Sequence, residues 1–321
     1  MRSQLKQQGA WILALVAVAL AASPLCAEAA EKITVILDWF VNPDHAPLVV
    51  AKEKGYFADA GLDVQLVAPA DPNDPPKLVA AGKAELAVSY QPQLHVHVGQ
   101  GLPLVRVGTL VATPLNTLVV LAAGPVRSIG DLKGKKVGFS VGGFEDAILS
   151  AMLAKQGLKL KDVELVNVNF SLSPSLLSGQ VDAVIGAFRN FELNQMEIEG
   201  HPGRAFYPEE HGVPAYDELI LVANRAKLKD PKLRRFVDAL ERAVLFLQNH
   251  PEESWSLFIK AHKDLDDELN RRAWRDTLRR FALSPGALDS VRYERFARFL
   301  KEQGLIQSVP PLETYAVELR P

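Results

Sequence analysis

The sequence predicts an α/β protein of two similar, doubly wound lobes. Residues 33–67 have the pattern strand, loop, helix, strand, and residues 137–168 repeat that order. The segments that close each unit also correspond, with KLVAAGKAELAV at 77–88 and SLLSGQVDAVIG at 175–186. Alternating strands and helices predict mostly parallel sheets with helices on both faces. Because two such lobes in one chain leave a cleft between them, the duplication favours a protein that holds a small molecule.

The first lobe begins near residue 31 and alternates strands with helices. Val49, Val50 and Phe57 form an apolar stripe at helical spacing, and Gly61 suits the end of that helix. The turn-rich segment DPNDPP at 71–76 leads to the next helix. The elements predicted here are strands at 33–37, 62–68, 86–89, 104–112 and 117–123, and helices at 47–60, 77–81 and 93–100.

The second lobe is predicted to be an insertion into the first. Gly124 and Pro125 mark the crossing, and the strand at 218–223 brings the chain back. This strand resembles the outgoing strand at 117–122, so the two together predict a two-strand hinge. We therefore expect one lobe from residues 30–123 and 224–321, and the other from residues 124–223. The remaining predicted elements are a strand at 136–140 and helices at 230–249, 251–262, 266–282 and 289–303.

The first 29 residues predict a cleaved signal peptide. Arg2 and Lys6 precede an apolar run at 11–22, and Ala-Glu-Ala at 27–29 fits a cleavage site. The apolar run is shorter than the roughly 20 residues that span a bilayer. We therefore expect export to the periplasm. Cys26, the single cysteine, would be removed with the signal, so that core burial alone would stabilise the mature chain.

Composition argues against one class of function. The chain has 321 residues, of which 48% are hydrophobic and 23% charged, and this is ordinary for two soluble domains. Its 36 basic and 38 acidic residues give a formal charge of −2, without the basic excess that is typical of nucleic-acid binders. We expect no nucleic-acid partner and a monomeric protein.

The carboxyl ends of the predicted strands select the residues that should face the cleft, because ligands in open α/β sheets bind there. The four segments that meet this criterion are 38–42, 90–91, 140–143 and 187–190. Trp39 and Tyr90 offer flat faces to a planar ring, with Tyr90 or Phe188 opposite Trp39. Either aromatic residue of the first lobe could instead belong to the edge of the core.

Polar residues in and beside these segments suit a ligand that donates hydrogen bonds. Asn42 and His45 could orient it, although His45 could equally stabilise its own loop. Glu192 can accept hydrogen bonds from ring amino groups, and Asn190 can read ring nitrogens or amino groups. Glu192 could instead belong to a solvated helix face.

Glycines and acidic residues lie next to the starts of predicted helices. Gly142 and Gly143 precede such a start, where backbone N–H groups can bind an anionic or carbonyl-like group. They do not form a complete phosphate-binding fingerprint. Asp44 and Glu145 are expected to cap helices or to favour the helix dipole.

Motifs for metal binding and covalent catalysis are absent from the sequence. It contains no HExxH pattern, no cysteine cluster and no Gly-x-Ser-x-Gly elbow. His95 and His97 are two residues apart in a predicted helix, where their side chains would diverge. We therefore predict no metal, no cofactor and no enzymatic activity.

Several phrases are similar to those of a known family. They are LDWFVNPDH at 37–45, AKEKGYF at 51–57, GLDV at 61–64 and LKGKKVG at 132–138. Together with the glycine phrases at 82–87 and 179–186, they resemble solute-binding proteins of ABC transporters, of the type that binds the pyrimidine precursor of thiamine. The resemblance implies a type II periplasmic-binding fold, an aminopyrimidine or similar heterocycle in the cleft, and an ABC permease as partner.

The same family is related to fungal pyrimidine-precursor synthases, from which this sequence departs. The resemblance implies that those enzymes hold pyridoxal phosphate at the segment matching 142–145, carry a lysine near position 90 or 91, and have a cysteine-rich segment near 212–220. Here Tyr90 and Gln91 replace the lysine, and residues 212–220 read GVPAYDELI. The departures favour a binder. The alternatives are a binder of riboflavin, a sulfonate or nitrate, a biosynthetic enzyme, and a periplasmic sensor subunit.

Overall fold

The computed structural model describes residues 29–319, so Cys26 and the predicted signal peptide, apart from residue 29, lie outside the described residues. No helix among residues 29–319 is long and apolar enough to cross a membrane. The strands are β1 (Glu31–Ile36), β2 (Leu62–Val67), β3 (Leu86–Ser89), β4 (Leu104–Val111), β5 (Asn116–Leu121), β6 (Lys136–Phe139), β7 (Glu164–Asn167), β8 (Ala183–Phe188), β9 (Gly203–Phe206) and β10 (Leu219–Asn224).

The helices pack on the faces of these strands. They are α1 (Ala46–Glu53), α2 (Tyr56–Asp59), α3 (Pro75–Ala80), α4 (Gln91–Gly99), α5 (Glu145–Ala154), α6 (Leu172–Leu177), α7 (Glu192–Ile198), α8 (Pro231–Asn249), α9 (Pro251–Ala261), α10 (Glu268–Thr277) and α11 (Ser290–Glu302).

Two five-stranded sheets confirm the predicted duplication. Their orders are β2-β1-β3-β10-β4 and β7-β6-β8-β5-β9. In each sheet four strands run parallel and the fourth in order runs antiparallel to its neighbours. Strands β1 to β4 therefore correspond to β6 to β9, and the two lobes share one plan.

The antiparallel strands show how the chain crosses between the sheets. Strand β5 pairs with β8 and β9 of the second sheet, whereas β10 pairs with β3 and β4 of the first. The two strands therefore do not pair with each other, and the chain crosses at 112–115 and 213–218. Sheet membership thus divides the chain differently from the predicted boundaries at 123/124 and 223/224.

Local sequence explains most element ends. Asp230 caps α8 by accepting the Lys232 N–H at 3.1 Å, and Pro231 occupies the first turn. The single helix predicted at 47–60 is wrong, because Gly55 adopts φ +76° and separates α1 from α2. Strand β9 is not predicted, since its four half-buried residues give no strong alternation.

Hydrogen bonds that involve asparagine side chains join the lobes at two places. At the first, Asn73 accepts the Gly142 N–H at 2.9 Å and donates to the Ser140 carbonyl at 3.1 Å. At the second, Asn194 of α7 donates to Asp276 of α10 at 2.9 Å. The lobes are therefore in contact at two separate places.

Candidate ligand-binding cleft

A cavity lies between the lobes at the carboxyl ends of the strands. It contains about 400 Å³ of space, counted to include its open mouth. Aromatic rings and carboxyl groups dominate its wall, as expected for a site that combines an apolar body with a few oriented polar groups. The lining residues are Asp38, Trp39, Asn42, Asp44, Tyr90, Glu145, Leu172, Gly186, Phe188, Phe191 and Glu192.

Asp38 organises the wall contributed by the first lobe. It follows β1 and is 3% exposed. One carboxylate oxygen lies 2.8 Å from Nε2 of His45, and the other accepts the Tyr90 hydroxyl at 2.9 Å. Both oxygens are therefore engaged by protein donors, and Asp38 fixes the Tyr90 ring in place.

His45 is a positioning residue behind this wall. It is fully buried and does not line the cavity, contrary to the predicted ligand contact. The Asn42 N–H donates to its Nδ1 at 3.3 Å, so Nε2 must carry the proton that is donated to Asp38. Because both ring nitrogens already have protein partners, the structure favours the alternative that His45 stabilises its own loop.

Asn42, rather than Asp44, caps the loop that follows β1. Asn42 caps the short 3₁₀ turn Pro43–His45 by accepting the Asp44 N–H at 2.8 Å, and it also lines the cavity. Asp44 is therefore not the cap. Its side chain lies in the cavity wall, 1% exposed, and burial raises its pKa to about 6.

Aromatic rings form the apolar part of the wall. Tyr90 stacks on Phe144 with ring centroids 4.8 Å apart, and Phe188 meets it edge-on at 6.5 Å. Trp39 is half-buried and contacts Phe170 of the second lobe edge-to-face at 4.6 Å. Trp39, Tyr90 and Phe188 thus line one cavity, as predicted from their strand-end positions.

Glu145 lines the cavity near the segment where the sequence predicts backbone donors, at Gly142 and Gly143. It opens α5, lines the cavity and accepts the Ser140 N–H at 2.7 Å. Burial raises its pKa to about 8. Gly142 and Gly143 do not line the cavity, and the Gly142 N–H is engaged by Asn73. Gly142 therefore takes part in a contact between the lobes, and the role of the glycine loop in ligand binding stays a prediction.

Glu192 and Asn190 are close in sequence but differ in orientation. Glu192 lines the cavity, accepts the Phe188 N–H at 2.6 Å, and has its pKa raised by burial to about 7. Asn190 does not line the cavity. Its amide donates to Asp44 at 2.6 Å and to Thr277 of α10 at 2.7 Å, so it connects the second lobe to the first.

Glu218 is a buried carboxyl that sequence reasoning missed. It lies in one crossing segment and accepts the Leu115 N–H at 2.6 Å and the Asn116 N–H at 2.9 Å at the other. Burial raises its pKa to about 7. Glu218 therefore ties the two crossing segments together where the lobes meet.

The cavity wall combines several carboxyl groups with no basic side chain from the described residues. Asp38, Asp44, Glu145 and Glu192 all line it, whereas no lysine, arginine or histidine among residues 29–319 does. The wall therefore offers carboxyl oxygens as hydrogen-bond acceptors and no cation from the described part of the chain. Such a site suits a ligand that donates hydrogen bonds or carries positive charge.

Comparison with known proteins agrees with this geometry. Residues 42–254 match the model of the family described as NMT1/THI5 like. The chain belongs to the NMT1/THI5-like family. It is 57% identical over 292 residues to a putative thiamine biosynthesis protein of Haemophilus influenzae, which covers 91% of this chain and 93% of the relative. It is 38% identical over 234 residues to a formylaminopyrimidine-binding protein of Halalkalibacterium halodurans, with coverages of 72% and 71%.

Similarity to a solved structure shows the fold of this NMT1/THI5-like chain. A Candida albicans protein, described as exhibiting the generic periplasmic binding protein fold, matches with a TM-score of 0.70 and coverages of 89% and 96%. At 17% identity the likeness shows the fold alone. The chain therefore has the type II periplasmic-binding fold predicted from its sequence, with two α/β lobes around a cleft.

Pyridoxal phosphate does not fit the residues of this NMT1/THI5-like cleft. Tyr90 donates its hydroxyl to Asp38, and Gln91 accepts the Asp217 N–H at 2.8 Å, so neither position offers an amine. No lysine from the described part of the chain lines the cavity. The Gly142 N–H is engaged by Asn73, and at the start of α5 the residue that lines the cavity is Glu145, whose carboxyl group does not suit a phosphate.

Proposed function

We propose that this protein is the exported solute-binding component of an ABC importer and that it captures an aminopyrimidine precursor of thiamine. The observation that carries the proposal is the cavity wall, in which four carboxyl groups and several aromatic rings meet without a basic side chain. An amino-substituted aromatic ring matches both features, since its face can stack and its amino group can donate.

The aromatic residues recognise the ring of the ligand, and an acidic residue recognises its amino group. Trp39 contacts one face or edge of the ring, and Tyr90 and Phe188 bound the other side of the cavity. Glu192 accepts from a ring amino group. Capture proceeds by closure of the two lobes about the crossing segments, which removes the ring from water.

The relatives support a binder of this chemical class. The relative from Halalkalibacterium halodurans is named for binding formylaminopyrimidine, and the fold is that of binding proteins. Sulfonate and nitrate are poor matches, because an anion in this cavity would face carboxyl groups without a compensating cation. A biosynthetic enzyme is disfavoured by the absence of a lysine from the described cavity wall.

Transport and location follow from the same proposal. The mature protein is a periplasmic monomer that delivers its ligand to a membrane permease. Cell fractionation and size-exclusion chromatography test location and oligomeric state. Ligand-dependent co-purification with an ABC permease supports import, whereas co-purification with a receptor kinase instead supports a sensor subunit.

Isothermal titration of the purified mature protein tests the ligand class. The panel contains 4-amino-5-hydroxymethyl-2-methylpyrimidine, its N-formylaminomethyl analogue, riboflavin, taurine and nitrate. We expect saturable binding of the aminopyrimidines and a weaker affinity in Glu192→Gln, which keeps the shape of the side chain but removes its charge. Binding of taurine or nitrate alone contradicts the proposal, and turnover of the pyrimidine supports an enzyme.

A further inference from the structure

Asp44 carries an unused acceptor in the wall of the cavity. Its Oδ1 accepts the Asn190 amide at 2.6 Å and lies 2.9 Å from the Thr277 hydroxyl. Its Oδ2 is buried and has no hydrogen-bond partner among the described residues. A buried polar atom without a partner is unfavourable, so a donor from outside the protein that reaches Oδ2 gains free energy.

The two oxygens of Asp44 differ in their partners. Oδ1 is held by Asn190 of the second lobe, so it belongs to a contact that forms only when the lobes meet. Oδ2 belongs to a residue of the cavity wall. Since one planar carboxyl group holds both atoms, a ligand bound at Oδ2 also fixes the orientation of Oδ1 toward Asn190.

Asp44 differs in this respect from the neighbouring carboxyl group. Both oxygens of Asp38 already have protein partners, the His45 ring and the Tyr90 hydroxyl. At neutral pH Asp44 is mostly ionised, because its pKa is raised only to about 6, and an ionised carboxyl group can only accept. The group that satisfies Oδ2 must therefore be a donor.

We propose that Asp44 determines specificity for an amino group on the ring, with Oδ2 accepting from that group while Oδ1 holds Asn190 and couples capture to closure of the lobes. This inference rests on the proposed function, since it assigns one recognition contact within the same cleft. It makes Asp44, rather than Glu192 alone, the residue that distinguishes an amino substituent from one that cannot donate.

A matched pair of ligands and two variants test the assignment. The ligands are 4-amino-2-methylpyrimidine and 2,4-dimethylpyrimidine, in which a methyl group replaces the amino group. Titration of the wild-type protein should show at least about a tenfold preference for the amino ligand, as for a hydrogen bond to a charged acceptor. In Asp44→Asn, whose amide can also donate, the preference should fall to within about threefold.

Asn190→Ala separates the two tasks of the carboxyl group. It removes the partner of Oδ1 and leaves Oδ2 in place, so both ligands should bind more weakly by a similar factor and the preference should remain. Retained binding of the dimethyl ligand by Asp44→Asn shows that the cleft is still folded. Small-angle scattering should show less ligand-induced compaction in both variants than in the wild type.

Each outcome decides the assignment. A full preference for the amino ligand in Asp44→Asn overturns it, as does loss of the preference in Asn190→Ala to the same extent. Loss of the preference in Glu192→Gln but not in Asp44→Asn places the amino group at Glu192 and also overturns it. If the wild-type protein binds neither ligand, the proposed function fails and this inference fails with it.

Discussion

The carboxyl group of Glu145 occupies the space beside Gly186 that a side chain there would need. A β-carbon built on Gly186 would lie 2.3 Å from Oε1 of Glu145, and Gly186 adopts φ +101°. Both residues line the cavity, one from the start of α5 and the other from β8. The close approach fixes the Glu145 carboxyl group against the wall of the site.

Gly186→Ala should therefore destabilise the protein and weaken ligand binding. The positive φ alone costs about 1–2 kcal/mol for a residue with a β-carbon, and displacement of Glu145 adds about 1–3 kcal/mol. Denaturant unfolding measures the total. Gly82→Ala is the control, because Gly82 also has a positive φ of +71° but its β-carbon would meet nothing within 4 Å. Equal losses in the two variants would contradict the role of the Glu145 contact.

Trp39→Ala should weaken the binding of an aminopyrimidine by about 1–3 kcal/mol, because it removes buried apolar area and an aromatic contact. Titration calorimetry gives the change. Trp39→Phe keeps a flat ring at the cavity wall and should lose less affinity. Unchanged affinity in Trp39→Ala would remove this residue from the site.

Asn73→Ala should favour the open arrangement of the lobes, although Asn73 does not line the cavity. It removes the acceptor of the Gly142 N–H and the donor to Ser140, at about 0.5–1.5 kcal/mol for each hydrogen bond. Affinity for an aminopyrimidine should then fall by a comparable free energy, because the closed state is less populated. Scattering of the unliganded protein should report a larger radius of gyration. Asn249→Ala, which removes a contact to Leu245 within α8, should leave both values unchanged.

The stability of the unliganded protein should fall as the pH rises from about 4.5 to about 8. Burial raises the pKa of Glu145 to about 8 and those of Glu192 and Glu218 to about 7, each from 4.5. Between those values these carboxyl groups bind more protons in the folded state than in the unfolded state, so the free energy of unfolding decreases with pH. Burial lowers the pKa of His95 to about 3 and that of His97 to about 4, which opposes the decrease below about pH 6.5, so the decrease is steepest between about pH 6.5 and 8.

Glu145→Gln should flatten this dependence above about pH 7, because a neutral amide has no proton to lose. The measurement is urea unfolding at intervals of pH. Exposed Glu199→Gln serves as the control and should keep the wild-type slope. A wild-type stability that rises across this range would contradict the burial of neutral carboxyl groups in the cleft.

The sequence predicts those parts of the fold that depend on interactions between residues close together in the chain. Hydrophobic periodicity, turn residues and the repeated phrases predict most strands and helices, and the corresponding sheet orders confirm that the two lobes share one plan. The strand-end rule then places Trp39 and Tyr90 of one lobe and Phe188 and Glu192 of the other at one cavity, because the carboxyl ends of the parallel strands in both sheets border the cleft. The exchange of β5 and β10 between the sheets is not local, and the sequence does not predict it.

The roles of the polar side chains were decided only by tertiary structure. The sequence determines that Asn42, Asp44 and His45 lie in one loop before a helix, and any of them could cap that helix. Asp44 meets Asn190 from 146 positions away and Thr277 from 233, and these partners, with burial, turn its carboxyl group into part of the cavity wall. His45 is likewise engaged by Asp38 and does not line the cavity. Local pattern fixes where a strand ends, but the partner that satisfies a buried polar atom depends on packing between distant segments.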